Sequence, residues 1–477
     1  MRRVVLLVLV LIGVFAAPAH GEFPGQELVL LSGNPAGGPG NGASRHPAIS
    51  QDKRFARLAA FESDATDLVA GAGGAANVYV VERAAGYGDN GTPWRFGRMI
   101  LASVGIDGRP ADGPSGRPSL DGTSRLAPHC VAYVSAASNL VRGDTNGRPD
   151  AFVRNLRTNR TIRVSVARGG RQSSGTVSEV AVNGRCTRVA FVSDAGDLAL
   201  TRTRNPSWRS AVTRPSPAGR RQVYVRAIGG STGIDRALKG LTFLASATAR
   251  APGDADSYDI AYSTNGRALT FTSDASNLAG GDGNGAADVY QRVMVSADGR
   301  RRKGRRSQHL RMTTRLISRN GAGQAGRGAS TSPATNLDGG VVAYATTAPD
   351  LIGADARGAS QVVQATVRGR AMETRLASHT PSGAPGSGPS GAPSVTAGGS
   401  WVVFQTAADD VAIDTARGRD TNGVQDIALF TQVADARVLL ARQGATSAAA
   451  NPMTSPHGNY VVFERAGHVW LDYIGPK

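Results

Sequence analysis

Three heptapeptides hold the side chains best spaced for chemistry: DTNGRPD (Asp144, Asn146, Asp150), DGNGAAD (Asp282, Asn284, Asp288) and DTNGVQD (Asp420, Asn422, Asp426). Oxygen-bearing groups at the first, third and seventh positions resemble part of a calcium loop, since Ca²⁺ collects about six to eight oxygens from a compact turn. The distal bidentate glutamate of an EF-hand is missing. The same letters also spell a hairpin, whose Asn-Gly supplies positive φ and whose aspartates hydrogen-bond the backbone. Both readings are open at this point, and calcium, the only cofactor the sequence suggests, would act on stability.

A second chemistry is anion binding. The run RRRKGRR sets Arg300, Arg301, Arg302, Lys303, Arg305 and Arg306 in one loop, either as a solvated surface loop or as a patch for an anionic partner. The formal charge of the chain is +18, although only Lys53, Lys239, Lys303 and Lys477 are lysines. Such a balance suits nucleic acid, but a secretory leader would carry the protein away from it, so an anionic envelope polymer or a protein is the expected partner.

The leader is read from Arg2 and Arg3, the apolar run Val4 to Phe15 and the small-residue site Ala17-Pro18-Ala19, with cleavage after Ala19 or Gly21. Residues 1–21 are thus expected to be a Sec-type signal and 22–477 one domain, secreted or held in the cell envelope as a monomer. No later apolar run approaches the roughly 20 residues of a membrane span. Export permits a disulfide between Cys130 and Cys186, the only cysteines; a bridge and two buried thiols both fit.

Catalytic spellings occur without their context. Gly229-Gly230-Ser231-Thr232-Gly233 matches G-x-S-x-G, and Gly386 to Gly391 matches G-x-G-x-x-G, but neither sits between a strand and a helix. The histidines (His20, His46, His129, His309, His379, His457, His468) show no metal-ligand spacing, though loops can still gather them in space. Insertions at Ala84 to Arg98, Thr201 to Gln222 and Ala297 to Arg311 are further places for function, as loops on a rigid scaffold.

The elements behind these residues repeat. A short apolar strand with a central aromatic recurs seven times, at Phe61, Tyr133, Phe191, Phe271, Tyr344, Phe404 and Phe463, spaced 58 to 80 residues apart. Each is preceded by a segment ending in turn residues and followed by a polar loop and two further strands, as in DAFVRN and TIRVSVA, which makes four short strands per repeat. One such sheet cannot bury both faces, whereas radial stacking covers them. An all-β fold follows: a single propeller of seven blades. The last repeat lacks its fourth strand, and ELVLLSG near the start supplies a matching one, so Leu28 to Leu31 are expected beside His468 to Tyr473.

Through VAYVSAASNLVRGDTNGRPDAFVRN (Val131 to Asn155) the chain resembles the bacterial TolB-like, WD40-like β-propeller repeat family, and the likeness runs over residues 27 to 477. TolB has a separate N-terminal α/β domain and six blades, neither of which matches this repeat pattern. The resemblance implies an extracytoplasmic binding platform and no TolB-type partnership with the peptidoglycan-associated lipoprotein. Three functions are therefore weighed: a non-catalytic scaffold for a protein or anionic polymer, a propeller lyase or glycan hydrolase with its site at the channel mouth, and a purely structural surface protein.

Overall fold

The computed structural model describes residues 27–474, apart from 53–55, 85–93, 199–215, 231–234, 236–237, 249–250, 299–307, 354–357, 415–417, 433–435 and 441–445. The signal segment, the Arg300 to Arg306 run, Trp208 and Ser231 lie outside the described residues.

Seven antiparallel sheets form the blades of a propeller. In chain order, the innermost strands are Ser44–Ile49, Ser115–Leu120, Val177–Val182, Ser257–Tyr262, Ser330–Thr335, Ser390–Val395 and Ala449–Thr454. The motif strands pair beside them: Leu58–Ser63, Cys130–Ser135, Arg188–Ser193, Ala268–Ser273, Val341–Thr346, Trp401–Thr406 and Tyr460–Arg465. Two outer strands complete each sheet, and in blade six the short pieces Ile413–Asp414 and Gly418–Arg419 extend its outer edge. Among the described residues helix is limited to one turn at Pro349–Ile352, a three-residue 3₁₀ turn at Arg168–Gly170, and Asp235 and Leu238 in the blade-three outer loop.

All seven motif aromatics are completely buried. Each belongs to an apolar cluster shared with the preceding blade: Phe61 packs with Tyr460 and Val462 of blade seven, and Tyr133 with Ala60 and Val80 of blade one. The residue beside it in sequence faces the next blade, as Ala132 does toward Phe191. Consecutive apolar residues are therefore what a strand covered on both faces requires. In four blades the motif ring also stacks on an aromatic of the third strand at 5.7 to 6.0 Å, as in Phe191 on Tyr224 and Phe271 on Tyr290.

The ring closes as expected. Glu27–Leu30 pairs antiparallel with His468–Tyr473, with Leu28 opposite Asp472 and Leu30 opposite Trp470. A serine brace recurs behind the third strand. In blade two, Ser165 Oγ accepts the Ala151 N–H at 3.0 Å and donates to Asp150 Oδ1 at 2.5 Å. Ser103 with Asn77, Ser246 with Gln222, Ser318 with Asp288 and Ser378 with Gln361 repeat it. In blade seven the brace is shared between the chain ends, because the Val469 N–H donates to Ser32 Oγ at 3.0 Å.

Candidate functional site at the channel mouth

Every innermost strand breaks register after its first or second residue. The extra residue is His46, Arg117, Asp259, Ser332, Ala392 or Asn451 in six blades, all with φ between 43° and 52°. Glu179 stands at the corresponding place in blade three. A β-bulge of this kind turns one side chain and one N–H out of the ladder, here toward the axis, where these residues line a cavity of 340 Å³. Pro47, Pro118, Pro333, Pro393 and Pro452 follow the bulge in five blades and line the same cavity. Proline has no N–H, so it removes a donor that would otherwise face the channel unpaired.

Five of the bulge N–H groups find side-chain acceptors on the neighbouring blade. His46 donates to Glu464 Oε1 at 2.7 Å, Arg117 to Glu62 Oε2 at 3.0 Å and Asn451 to Gln405 Oε1 at 3.0 Å. Blade four has Ile260 in place of proline, and Glu179 of blade three accepts both spare donors, from Asp259 at 3.2 Å and Ile260 at 3.1 Å. Asp259 in turn accepts the Ser332 N–H at 3.2 Å. Burial raises the Glu179 carboxyl and the nearby Asp259 charge adds to it. Burial alone would raise Glu62 as well, but its hydrogen bond to His46, the Arg117 amide and the Arg45 charge hold it below the usual carboxylate range. His46 Nδ1 lies 2.9 Å and Arg45 Nε 2.6 Å from that carboxylate. Arg117 is exposed at the rim.

At the far end of the channel the inner hairpins are bonded turn to turn. Gly122 donates to Gly184 O, Gly184 to Thr264 O, Asn265 to Leu337 O, Leu337 to Ala397 O and Ala397 to Pro456 O, all between 2.8 and 3.3 Å. A Cβ on Gly184 would overlap the Gly122 carbonyl, so only glycine permits that approach.

The three DTNG-type loops lead into the third strands of blades two, four and six and share one geometry: the asparagine Oδ1 accepts the N–H two residues on, at 2.9 Å, before or around a glycine with φ of 62° to 69°. In blade two, Arg163 Nη1 stands 3.5 Å from Asp144 and 3.6 Å from Asp150, and Gln172 Nε2 donates to Asp144 at 2.5 Å. Blade four has Leu316 and Ala325 at those positions, and Asp282 accepts from the Tyr290 hydroxyl. In blade six Asn422 Nδ2 donates to Asp426 at 2.7 Å, and its N–H to Asp420 at 3.1 Å. Burial pushes Asp150 and Asp288 up to about 6.

Cys130 and Cys186 form a disulfide between blades two and three. Trp94, in the first insertion, is buried edge-on against Tyr460, tying blade one to blade seven. Gly386 packs against Val411 and Gly388 against the Ala407 carbonyl, where a Cβ would overlap either; these two glycines serve close packing at the foot of a strand. Among the described residues no helix is long and apolar enough to cross a membrane.

No family model matches the chain, and no curated protein does. Among solved structures, an oligogalacturonate lyase of Vibrio parahaemolyticus is similar at 11% identity, covering 94% of this chain and 96% of that one, with a TM-score of 0.46. An acylaminoacyl peptidase of Pyrococcus horikoshii aligns at 8% identity and a TM-score of 0.41, over 89% of this chain but 49% of its own. A protein described as TolB from Agrobacterium tumefaciens aligns at 12% identity over 79% of this chain and 94% of its own, with a TM-score of 0.36. The fold rests on the strand pairing; likenesses of this size add no argument about activity.

The inner bulges were missed from sequence, yet a signal was there. SRHP, SGRP, STSP, SGAP and AANP place proline at one fixed position inside a strand, and proline within a central strand marks a bulge.

Proposed function

We propose that the protein is an exported, non-catalytic scaffold that engages a protein or an anionic envelope polymer on the face bearing the channel mouth. The observation that carries this reading is the use of the mouth's carboxylates. Histidine, arginine and acidic side chains do cluster there, as a propeller enzyme would need, but Glu62, Glu179, Asp259 and Glu464 each accept a main-chain N–H from a neighbouring strand. A general acid or base needs a carboxyl free to exchange its proton with a substrate. These hold the blades together instead, which leaves Arg117 exposed at the rim of a chain rich in arginine.

The test uses protein collected from the medium or envelope of an expressing bacterium, where export predicts a mature N-terminus at His20 or Glu22. Retention is then measured on immobilised poly(glycerol phosphate), polygalacturonate and an envelope protein fraction. Arg117→Glu should weaken retention on the preferred ligand about fivefold or more without lowering the melting temperature. Cleavage of a polymer by the wild type, abolished in His46→Ala, would favour the enzyme instead; retention on none of the three would remove the scaffold reading.

A further inference from the structure

Among the described residues one group of histidine, cysteine and acidic side chains converges as metal ligands do. The ligating atoms of Asp121, His129, Cys130 and Cys186 all lie within 4.8 Å of one another. They sit away from the channel mouth, where the inner hairpins of blades two and three meet. Asp121 and His129 flank the blade-two hairpin, Cys130 begins its motif strand, and Cys186 occupies the blade-three turn with φ of 52°.

The donors suit a particular ion. Two sulfurs, an imidazole and a carboxylate are a zinc-type set, with metal bonds of about 2.0 to 2.3 Å, so that neighbouring ligand atoms in a tetrahedron stand about 3.3 to 3.8 Å apart. His129 Nδ1 and Asp121 Oδ2 are 2.8 Å apart as a hydrogen-bonded pair and need open by only about 0.5 Å to take the spacing of tetrahedral ligands. The cysteine Cα atoms are 6.4 Å apart, so the sulfurs need separate only by side-chain rotation to share one ion. Asp121 is aimed by the main chain, its Oδ1 accepting the N–H of His129 at 2.7 Å and of Cys130 at 2.9 Å. Such support of a ligand by fixed hydrogen bonds is what a metal site requires. An entry path exists too. His129 and Cys186 border a cavity of 440 Å³ whose wall includes Arg160 and Lys239. Two thiolates and a carboxylate around a divalent ion leave one net negative charge, which those cations offset.

We propose that this cluster is a two-state staple: a disulfide when oxidised and, once a dithiol has opened the bond, a Cys₂HisAsp site for Zn²⁺ or a similar divalent ion. In the first step the dithiol reductant becomes a cyclic disulfide, and its two electrons and two protons convert Cys130 and Cys186 to thiols. In the second, the ion takes both thiolates and two protons leave to solvent. Blades two and three stay tied in either state, covalently in one and through the ion in the other.

The full chain, reduced with a phosphine that does not compete for the ion, is titrated with Co²⁺ and read by absorption. Reduced protein should bind one Co²⁺ with tetrahedral d–d bands and a thiolate-to-cobalt charge-transfer band, displaced by Zn²⁺. Oxidised protein should show neither band, and His129→Gln should weaken binding about tenfold or more. If reduction unfolds the chain, Zn²⁺ present during reduction should preserve its circular dichroism. A folded, reduced protein with no charge-transfer band, identical cobalt spectra from the oxidised protein, or unfolding that Zn²⁺ does not prevent would each overturn the proposal.

Discussion

Asp288 occupies a position that blades one, three and five fill with a neutral amide and blade two with Asp150. Asn77, Gln222 and Gln361 accept the serine brace in blades one, three and five, and none carries charge. Asp288 is fully buried, and the position where blade two has Arg163 is Leu316 in blade four. Burial first, then the Asp282 charge, raises its carboxyl to about 6 from an ordinary 3.8. Between those values the folded state binds the extra proton, so stability falls as pH rises from 4 to 6 and stays lower above. Asp288→Asn, which keeps the acceptor for Ser318, should therefore stabilise the protein by on the order of 1–2 kcal/mol at neutral pH and by nothing near pH 4, as read by urea unfolding in EDTA. Asp150→Asn should gain less, because it takes a carboxylate from Arg163. A calcium ion between Asp282 and Asp288 would reverse the first result in calcium buffer, with Asn destabilising. The heptapeptides were legible as turns because Asn-Gly has its own backbone chemistry. Whether Arg163 or Leu316 faced them was not, since the partner comes from an outer strand whose register only the folded sheet sets.

The inner strand is the element on which the mouth depends. Its bulge exposes an N–H toward the axis, and the residue after the motif aromatic supplies an acceptor where it is long and polar, as at Glu62, Gln405 and Glu464. Glu62 is nearly buried and gathers the Arg117 amide, His46 and Arg45, so Glu62→Ala should cost about 2–3 kcal/mol in unfolding free energy, with Glu62→Gln recovering part of it through the retained acceptor. Equal losses in the two variants would mean that charge, and not the amide bond, carries the brace. Sequence exposed the motif strand readily, because two-sided burial writes a continuous apolar run. It showed that a strand precedes each motif strand but hid that strand's bulge, which interrupts alternation and whose acceptor lies some 55 residues upstream in another blade.

Seven interblade clusters, each built from two neighbours, make the stability of any blade a property of the ring. Six of those joins follow chain order; the seventh needs Glu27–Leu30 to leave the start of the chain and lie beside His468–Tyr473. Composition and period were enough to count blades, and the missing fourth strand of the last repeat was enough to find its replacement, since an unpaired edge there would fray. Partner and ion had no comparable signal, because each depends on an encounter outside the repeat. Native-state hydrogen exchange followed by mass spectrometry weighs the closure itself. Peptides covering residues 27–31 should be protected to the same degree as those covering 468–473, and both should open in one cooperative step under mild denaturant. Rapid exchange at 27–31 beside a protected 468–473 would mean that the seventh sheet stands without the N-terminal strand and that the ring is not closed as described.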